Sequence, residues 1–228
     1  RLVGRHQGER AFIIASGPSL LVSDLDRLQK ETTFACNKIY LSFDKTAWRP
    51  TYYSVSDEMV AKQNQAAIRD MRARKVFPTD VYKQFADCSD ITWMESLHQP
   101  DVNQCRFSTD LLSGVYGGWT VIFVQMQLAF GIGFRELYVI GLDFSFVVPK
   151  TTGELCRGEA VLESKGEVNH FDPRYRAPGE KWTMPRLDLQ YNAFTAARDA
   201  FAQHGGTIWN ADLSTLRPIT AGLRGNIL

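Results

Sequence analysis

Short apolar runs alternate with stretches of helical spacing along the chain. Runs rich in β-branched and aromatic residues predict buried strands at 12–15, 32–36, 52–55, 75–77, 91–94, 137–142 and 207–209. Apolar side chains recur at helical spacing over 113–130 and 187–203, and the stretch 58–74, rich in Ala, Gln and Arg, predicts a long exposed helix. The pattern therefore indicates strands and helices in regular succession.

This succession is typical of a parallel sheet that helices cover on both faces. The sequence predicts a single Rossmann-like, doubly wound α/β domain over residues 1–228, with a mainly parallel sheet. One segment, 146–181, breaks the alternation because it is rich in glycine, proline and charge. Long segments of this kind in compact domains often cover a binding site, so we expect a long lid loop at about 146–181.

Small or acidic polar residues follow nearly every predicted strand. In open α/β sheets, ligands bind outside the carboxyl ends of the strands, where these residues would converge. Turns also favour Gly, Asn, Asp and Ser, which is an alternative explanation for each position taken alone. The residues at these ends are Ser16-Gly17, Asn37, Ser56-Asp57, Asp143 and Asn210.

Two short motifs could hold an anion. Gly17-Pro18-Ser19 is neither a dinucleotide fingerprint nor a Walker loop, but glycine permits close approach of the backbone and proline suits the first turn of a helix. Ser113-Gly114 is predicted to open the helix 113–130, whose free N–H groups would attract a phosphate. The alternative for Ser113 is an ordinary helix N-cap.

The predicted lid contains a histidine between polar and aromatic neighbours, in the sequence Asn169-His170-Phe171. The pKa of histidine lies near working pH, so His170 is a candidate general base. A surface histidine in a flexible loop is the competing interpretation. Tyr175 and Arg176 follow in the same segment.

Composition narrows the function classes. The 228 residues are 44% hydrophobic and 12% aromatic, which excludes a disordered chain. With 26 Lys+Arg against 25 Asp+Glu, the net charge of +1 argues against nucleic acid as a partner. The longest apolar stretch, 121–134, falls short of the roughly 20 residues that span a bilayer. The four cysteines show no metal or disulfide spacing, so we expect reduced thiols in a cytoplasmic protein.

Four motifs resemble those of a known group of proteins. They are IIASGPSL at 13–20, Cys36-Asn37, SGVY at 113–116 and IGLDF at 140–144. In this order they resemble bacterial lipooligosaccharide sialyltransferases. The sequence is also similar to the broader MptE-like domains, which include archaeal hydroxymethylpterin diphosphokinases and the central domain of flagellin-modifying Maf glycosyltransferases. The resemblance extends from about residue 12 to residue 210.

The resemblance implies a nucleotide-sugar-binding domain that transfers a sialic-acid-like nonulosonic acid from a CMP-linked donor to a glycan or lipid-linked glycan acceptor in surface-polysaccharide synthesis, without a required cofactor. By motif, the lid histidine would deprotonate the acceptor hydroxyl. The predicted catalytic residues are His170 and Tyr175. The predicted nucleotide and donor residues are Gly17, Pro18, Ser19, Asn37, Ser56, Asp57, Ser113, Gly114, Asp143 and Ser145.

Two positions depart from the sialyltransferase pattern. Those enzymes have a tyrosine just after the Ile-Asp-Phe motif that helps the phosphate leave, where this chain has Ser145 or Phe146. They also carry an arginine three residues before the Ser-Gly-Val-Tyr serine, where this chain has Asp110. Tyr175 or Arg176 could supply the missing assistance to the leaving group.

Two other functions stay open. The first is a diphosphokinase that uses ATP and Mg²⁺ held by Asp57 and Asp143, since carboxylates at neighbouring strand ends suit this ion. The second is a non-catalytic nucleotide-binding module. Peripheral association with the inner face of the membrane also stays open, because acceptors in this group are often lipid-linked.

Overall fold

The computed structural model describes residues 3–101, 103–156, 158–211 and 216–219. The strands are β1 (Arg10–Ile14), β2 (Thr32–Cys36), β3 (Tyr52–Ser54), β4 (Arg74–Pro78), β5 (Ile91–Met94), β6 (Ser96–Leu97), β7 (Val115–Tyr116), β8 (Glu136–Ile140), β9 (Thr151–Cys156), β10 (Glu159–Glu163), β11 (Lys181–Thr183), β12 (Thr207–Ala211) and β13 (Leu216–Pro218). The helices are α1 (Val22–Leu25), α2 (Glu58–Gln63), α3 (Gln65–Arg69), α4 (Tyr82–Phe85), α5 (Val121–Ile132) and α6 (Leu187–Gln203).

The main sheet confirms the predicted doubly wound architecture. Its strand order is β13-β12-β8-β1-β2-β3-β4-β5, and every pairing is parallel except that of β13 with β12. The chain runs outward from β1 through β5 and then returns to the other side of β1 with β8. The strand order therefore reverses between β1 and β8, and ligand crevices form at such a point.

Two hydrophobic cores lie on opposite faces of this sheet, because successive side chains of a strand point to opposite sides. Ile13 and Phe34 belong to the core that α5 and α6 cover. Their neighbours Ile14 and Ala35 belong to the core under the shorter helices. Burial on both faces explains why these strands are continuous apolar runs. Within the described part of the chain, no helix is long and apolar enough to cross a bilayer.

The start of α5 corrects one prediction. The helix does not open at Ser113-Gly114; it begins at Val121, and Thr120 caps it by accepting a hydrogen bond from the N–H of Ile122. Gly114, with φ of +118°, precedes the short strand β7, and Gly118 adopts φ of +60°. These left-handed glycines interrupt the helix, although apolar side chains continue at helical spacing.

The stretch 58–74 also differs from the prediction of one long helix. It forms two short helices, α2 and α3, which are separated at Asn64. Asn64 has φ of −125° and ψ of 22°, and its side chain donates a hydrogen bond to the carbonyl of Val60. The N–H of Asn64 donates to the same carbonyl, so the helical bond is kept and the break lies in the φ and ψ of Asn64.

The sequence predicted a long loop at 146–181, but this segment contains regular structure. Strands β9, β10 and β11 form a separate antiparallel sheet within it and at its end, in the order β11-β10-β9. Strand β9 is exposed on both faces, so its residues lack the alternation that predicts a strand. Residues 164–180 cross over the carboxyl ends of the main sheet, where the N–H of Phe171 donates to the carbonyl of Ser16.

The chain approaches itself closely just beyond the ends of β1 and β8, at Gly141, and substitution of two glycines tests this approach. Gly141 has φ of +71° and Gly205 has φ of +72°, so alanine is strained equally at both. A Cβ at Gly141 would lie 2.9 Å from the carbonyl oxygen of Ala15, whereas one at Gly205 would meet nothing within 4 Å. We expect Gly205→Ala to cost about 1–2 kcal/mol of unfolding free energy, and Gly141→Ala to cost about 1–3 kcal/mol more.

Urea denaturation of the two variants and the parent chain measures this difference. Equal losses in both variants would contradict the close approach.

Candidate functional site

Two adjoining chambers open at the carboxyl ends of the parallel strands. The larger has a volume of about 410 Å³ and the smaller about 120 Å³. The residues that line both chambers are Asn37, Thr120, Val121, Phe146, His170, Tyr175 and Gln190. The two spaces therefore meet at one wall, which combines the end of β2, the start of α5 and the segment after β10.

The structure brings most of the predicted site residues to these chambers. Gly17, Asn37, Asp143, Ser145, His170 and Tyr175 line the smaller one, and Asn37, Ser56, Asp57, His170 and Tyr175 line the larger one. Pro18, Ser19, Ser113 and Gly114 line neither. Ser113 is exposed and donates a hydrogen bond to Asp110, which agrees with its position before β7 rather than at a helix start.

Asp143 braces the turn after β1. Its Oδ2 accepts hydrogen bonds from the N–H of Ser19 at 3.1 Å and from the Ser19 hydroxyl at 3.0 Å. A Cβ on Gly17 would lie 2.0 Å from the same oxygen, so only glycine fits there. The motif Gly17-Pro18-Ser19 therefore joins β1 to the loop after β8 and shapes the smaller chamber. Asn210 supports the same loop by donating to the carbonyl of Leu142.

Tyr175 lies between the chambers with its hydroxyl beside Ser16 and Asn37. Ser16 Oγ and Asn37 Oδ1 are buried, and within the described residues neither makes a hydrogen bond of good geometry, although the Tyr175 hydroxyl lies close to both. Burial raises the pKa of Tyr175, so its hydroxyl stays protonated near neutral pH and can donate a hydrogen bond. The smaller chamber thus presents polar groups that a ligand could satisfy.

His170 forms the wall that both chambers share. Its ring stacks on Tyr175 with 3.7 Å between centroids, and the edge of Phe146 contacts it. Its Nδ1 lies 3.0 Å from Glu167 Oε1, at an angle that is poor for a hydrogen bond. Burial lowers the pKa of His170, Glu167 opposes this shift and Arg176 adds to it. The imidazole is therefore neutral at pH 7 and can accept a proton.

Cationic side chains enter the larger chamber from two elements. The Arg176 guanidinium stacks 3.7 Å from the centre of the Trp182 ring. Lys38, which follows Asn37, donates to the carbonyl of Tyr175 at 2.7 Å and forms an ion pair with Glu180. Lys38 and Glu167 were not predicted from the sequence. For Lys38, the available signal was a lysine directly after the strand-end Asn37.

The helix N-terminus at the site belongs to Thr120 and Val121 rather than to Ser113. The Gln190 side chain donates to the carbonyl of Trp119 at 3.0 Å and so holds the turn before α5. A sequence signal existed, because Gly117-Gly118 breaks a helix and threonine is a common N-cap. A helix N-terminus therefore lines the site, but it begins at Val121 and not at Ser113 as the sequence predicted.

The segment that carries His170 is held to the body of the domain by ion pairs. Asp172 is fully buried and binds Lys45 at 2.8 Å and Arg174 at 2.8 Å. Arg174 also pairs with Asp44, and the N–H of Phe171 donates to the carbonyl of Ser16. These contacts fix the position of His170 relative to β1 and β2.

The carboxylates proposed for Mg²⁺ have other partners. Asp57 caps α2 by accepting from the N–H of Val60, and it accepts a second bond from the Thr183 hydroxyl. Asp143 lines only the smaller chamber and Asp57 only the larger. Within the described ranges, no group of three or more His, Cys, Asp or Glu is placed to hold a metal.

Comparisons with known proteins bear on the fold. No protein-family model matches the chain, and no curated protein matches it in sequence. Among solved structures, it is similar to the MAf glycosyltransferase from Magnetospirillum magneticum AMB-1, with a TM-score of 0.51 and 15% sequence identity. The match covers 89% of this chain and 32% of that one, so the chain spans about a third of that protein's length. At this identity the likeness shows a shared fold.

The buried Asp172 carboxylate gives a test of the contacts that fix His170. The hydrogen bonds from Arg174 and Lys45 lower the pKa of Asp172, so the charged form stabilises the folded state. We expect Asp172→Asn to cost about 1–3 kcal/mol at pH 7. Asp87→Asn is the control, because Asp87 pairs with Arg69 at the exposed surface, and it should cost less than about 1 kcal/mol.

The difference in unfolding free energy between the parent chain and Asp172→Asn should depend on pH. The folded pKa of Asp172 lies below the unfolded value of about 3.9, so the stabilisation is complete above about pH 5 and fades as pH falls further. Denaturation at pH 7 and pH 3.5 measures it. A loss that is equal at both values would contradict this origin.

Proposed function

We propose that this domain belongs to a glycosyltransferase that moves a sugar from a nucleotide-activated donor to an acceptor hydroxyl. The observation that carries the proposal is the position of His170, a mostly buried histidine whose side chain lines both chambers. One chamber lies at the strand-order reversal, where nucleotides bind in such folds, and the other leaves space for a second substrate. The fold shared with a protein named as a glycosyltransferase supports the same assignment.

In the proposed reaction, the acceptor oxygen forms a bond to the anomeric carbon while the bond from that carbon to the donor phosphate oxygen breaks. The electron pair of the broken bond leaves with the phosphate, which gains a negative charge. The proton of the acceptor hydroxyl passes to a ring nitrogen of His170, and Glu167 stabilises the imidazolium that forms. The protonated Tyr175 hydroxyl can donate to an oxygen of the donor.

For the donor we propose a CMP-linked, sialic-acid-like sugar. The support is the resemblance of the motifs at 13–20 and 140–144, both of which contribute to the smaller chamber. The acceptor would be a glycan or lipid-linked glycan of surface-polysaccharide synthesis, in the cytoplasm or at the inner face of the membrane. The donor residues in this proposal are Gly17, Asn37, Ser56, Asp57, Asp143 and Ser145.

A thermal-shift panel with CMP, CDP, UDP and ATP, each with and without Mg²⁺, tests the donor class. We expect CMP to raise the melting temperature without metal, since a ligand at 100 times its Kd adds about 2.7 kcal/mol. Stabilisation by ATP with Mg²⁺ alone would favour the diphosphokinase instead. If the chain binds a nucleotide but transfers sugar from no nucleotide-sugar donor, the result favours a non-catalytic nucleotide-binding module.

The variant His170→Gln tests the base. Glutamine retains polar atoms but cannot accept the proton, so we expect transfer to fall about 10²- to 10⁴-fold while the Kd for CMP changes little. Because burial lowers the pKa of His170, kcat/KM of the parent should be flat from pH 7 to 8 and fall as pH drops below about 6.5.

Asn103→Gln, in an exposed turn outside both chambers, serves as the control. Turnover of His170→Gln near the parent rate would place the base elsewhere.

A further inference from the structure

The wall of the larger chamber contains a guanidinium that its surroundings leave unsatisfied. Arg176 stacks over the Trp182 ring, and its Nη1 is buried without a hydrogen-bond partner in the described part of the chain. The indole N–H of Trp182 is also buried and unpartnered. Arginine carries five N–H donors, and a buried one without an acceptor costs free energy. An acceptor is therefore expected at this position when the site is filled.

The neighbouring carboxylates do not supply that acceptor. Glu167 interacts with His170 and with the N–H of Asn169, and Glu180 binds Lys38 and the N–H of Ala177. Burial lowers the pKa of Arg176 although the carboxylates of Glu167, Glu180 and Asp57 raise it, so the positive charge is only partly balanced. Buried charges in proteins are normally paired, which points to an anionic ligand.

A second feature of the same wall favours an anion. Thr120 and Val121 begin α5, a helix of 12 residues, and both line the chamber together with Arg176. The N-terminal end of a helix carries partial positive charge and N–H groups without intrahelical partners. Of these groups, the N–H of Ile122 donates to the Thr120 hydroxyl and the N–H of Phe123 donates to the Thr120 carbonyl, so the helix end contributes mainly through its partial charge. The positive charge of the guanidinium and the partial positive charge of the helix end therefore both favour a bound anion.

We propose that Arg176 binds an oxyanion of the sugar donor, either its phosphate or a sugar carboxylate, in the larger chamber beside His170. This inference rests on the proposed glycosyltransferase function and adds a residue to it. If the oxyanion is the phosphate, its charge grows as the bond to the anomeric carbon breaks, and the guanidinium then stabilises the leaving group. If it is the carboxylate, Arg176 selects donors that carry an acidic sugar.

Calorimetric titration with four probes separates these cases. The probes are CMP, cytidine, inorganic phosphate and free sialic acid, and the variants are Arg176→Met and Arg176→Lys. We expect Arg176→Met to weaken binding of the oxyanion probes roughly 10- to 100-fold and to leave cytidine unchanged. Arg176→Lys keeps the charge but loses the planar fork, so it should lie between the parent and Arg176→Met.

The control is Arg135→Met. Arg135 also stacks on an aromatic ring, 3.9 Å from the centre of Phe130, and burial also lowers its pKa, but it lies outside both chambers. Its Nη1 donates to two carbonyl oxygens, so Arg135→Met should lower stability without changing the affinity of any probe relative to cytidine.

The outcomes assign the ligand group or overturn the proposal. A loss confined to CMP and phosphate supports the phosphate, and a loss confined to sialic acid supports the carboxylate. An equal loss for CMP and cytidine means that Arg176 only supports the chamber, and this overturns the proposal. The proposal is also overturned if the parent chain binds CMP, phosphate and sialic acid no more tightly than Arg176→Met does.

The proposed function can fail separately from this site. If phosphate binding depends on Arg176 but no nucleotide sugar is turned over by the parent chain, the oxyanion site stands and the transferase assignment fails. If the parent transfers sugar and Arg176→Met binds every oxyanion probe as tightly, the transferase assignment stands and the role of Arg176 is refuted.

Discussion

The candidate site depends on one buried carboxylate. Asp172 has no exposed surface, and its charge is balanced by Lys45 and Arg174. The bond to Lys45, together with the pair between Arg174 and Asp44, holds the segment 170–176 against the residues that follow β2. A buried carboxylate without partners would be strongly destabilising, so this position of the segment is favoured over others. This segment carries the proposed base His170, the Tyr175 hydroxyl and the Arg176 guanidinium. The contacts of Asp172 therefore position all three.

The other half of the site follows from backbone geometry at the strand-order reversal. Gly17 and Gly141 allow the ends of β1 and β8 to approach more closely than any side chain would permit, and Asp143 locks this approach through Ser19. The motif Gly17-Pro18-Ser19, which resembles a phosphate-binding loop, therefore connects the end of β1 to the loop after β8. What it leaves accessible is the space beside Asn37, whose buried side-chain oxygen makes no hydrogen bond of good geometry in the described structure.

The sequence predicted the main sheet well, because its strands are buried on both faces and so stand out as apolar runs. Strands β2 and β5 and helix α6 have the predicted bounds. Strand β9 has no such signal because it is exposed on both faces. The start of α5 was misplaced because Val115 and Trp119 continue its apolar spacing. Within the site, His170 and Asn37 could be found from their positions. The pairs Lys45–Asp172 and Asp44–Arg174 join residues 127 and 130 positions apart, so they leave no local pattern.

Backbone strain is concentrated around the two chambers. Among the described residues, Asn37, Trp119 and Phe144 are the ones other than glycine with left-handed φ, at 48°, 57° and 53°, and each of them lines a chamber. Such a conformation costs of order 1–3 kcal/mol at a bulky residue and persists where the surroundings enforce it. The Gln190 side chain donates a hydrogen bond to the carbonyl of Trp119, in the turn directly before α5. The cost of this strain is offset elsewhere in the fold, and its location coincides with the buried polar atoms that lack partners. Both features support the proposal that the functional site lies at the junction of the chambers, where a donor would supply partners for these buried atoms.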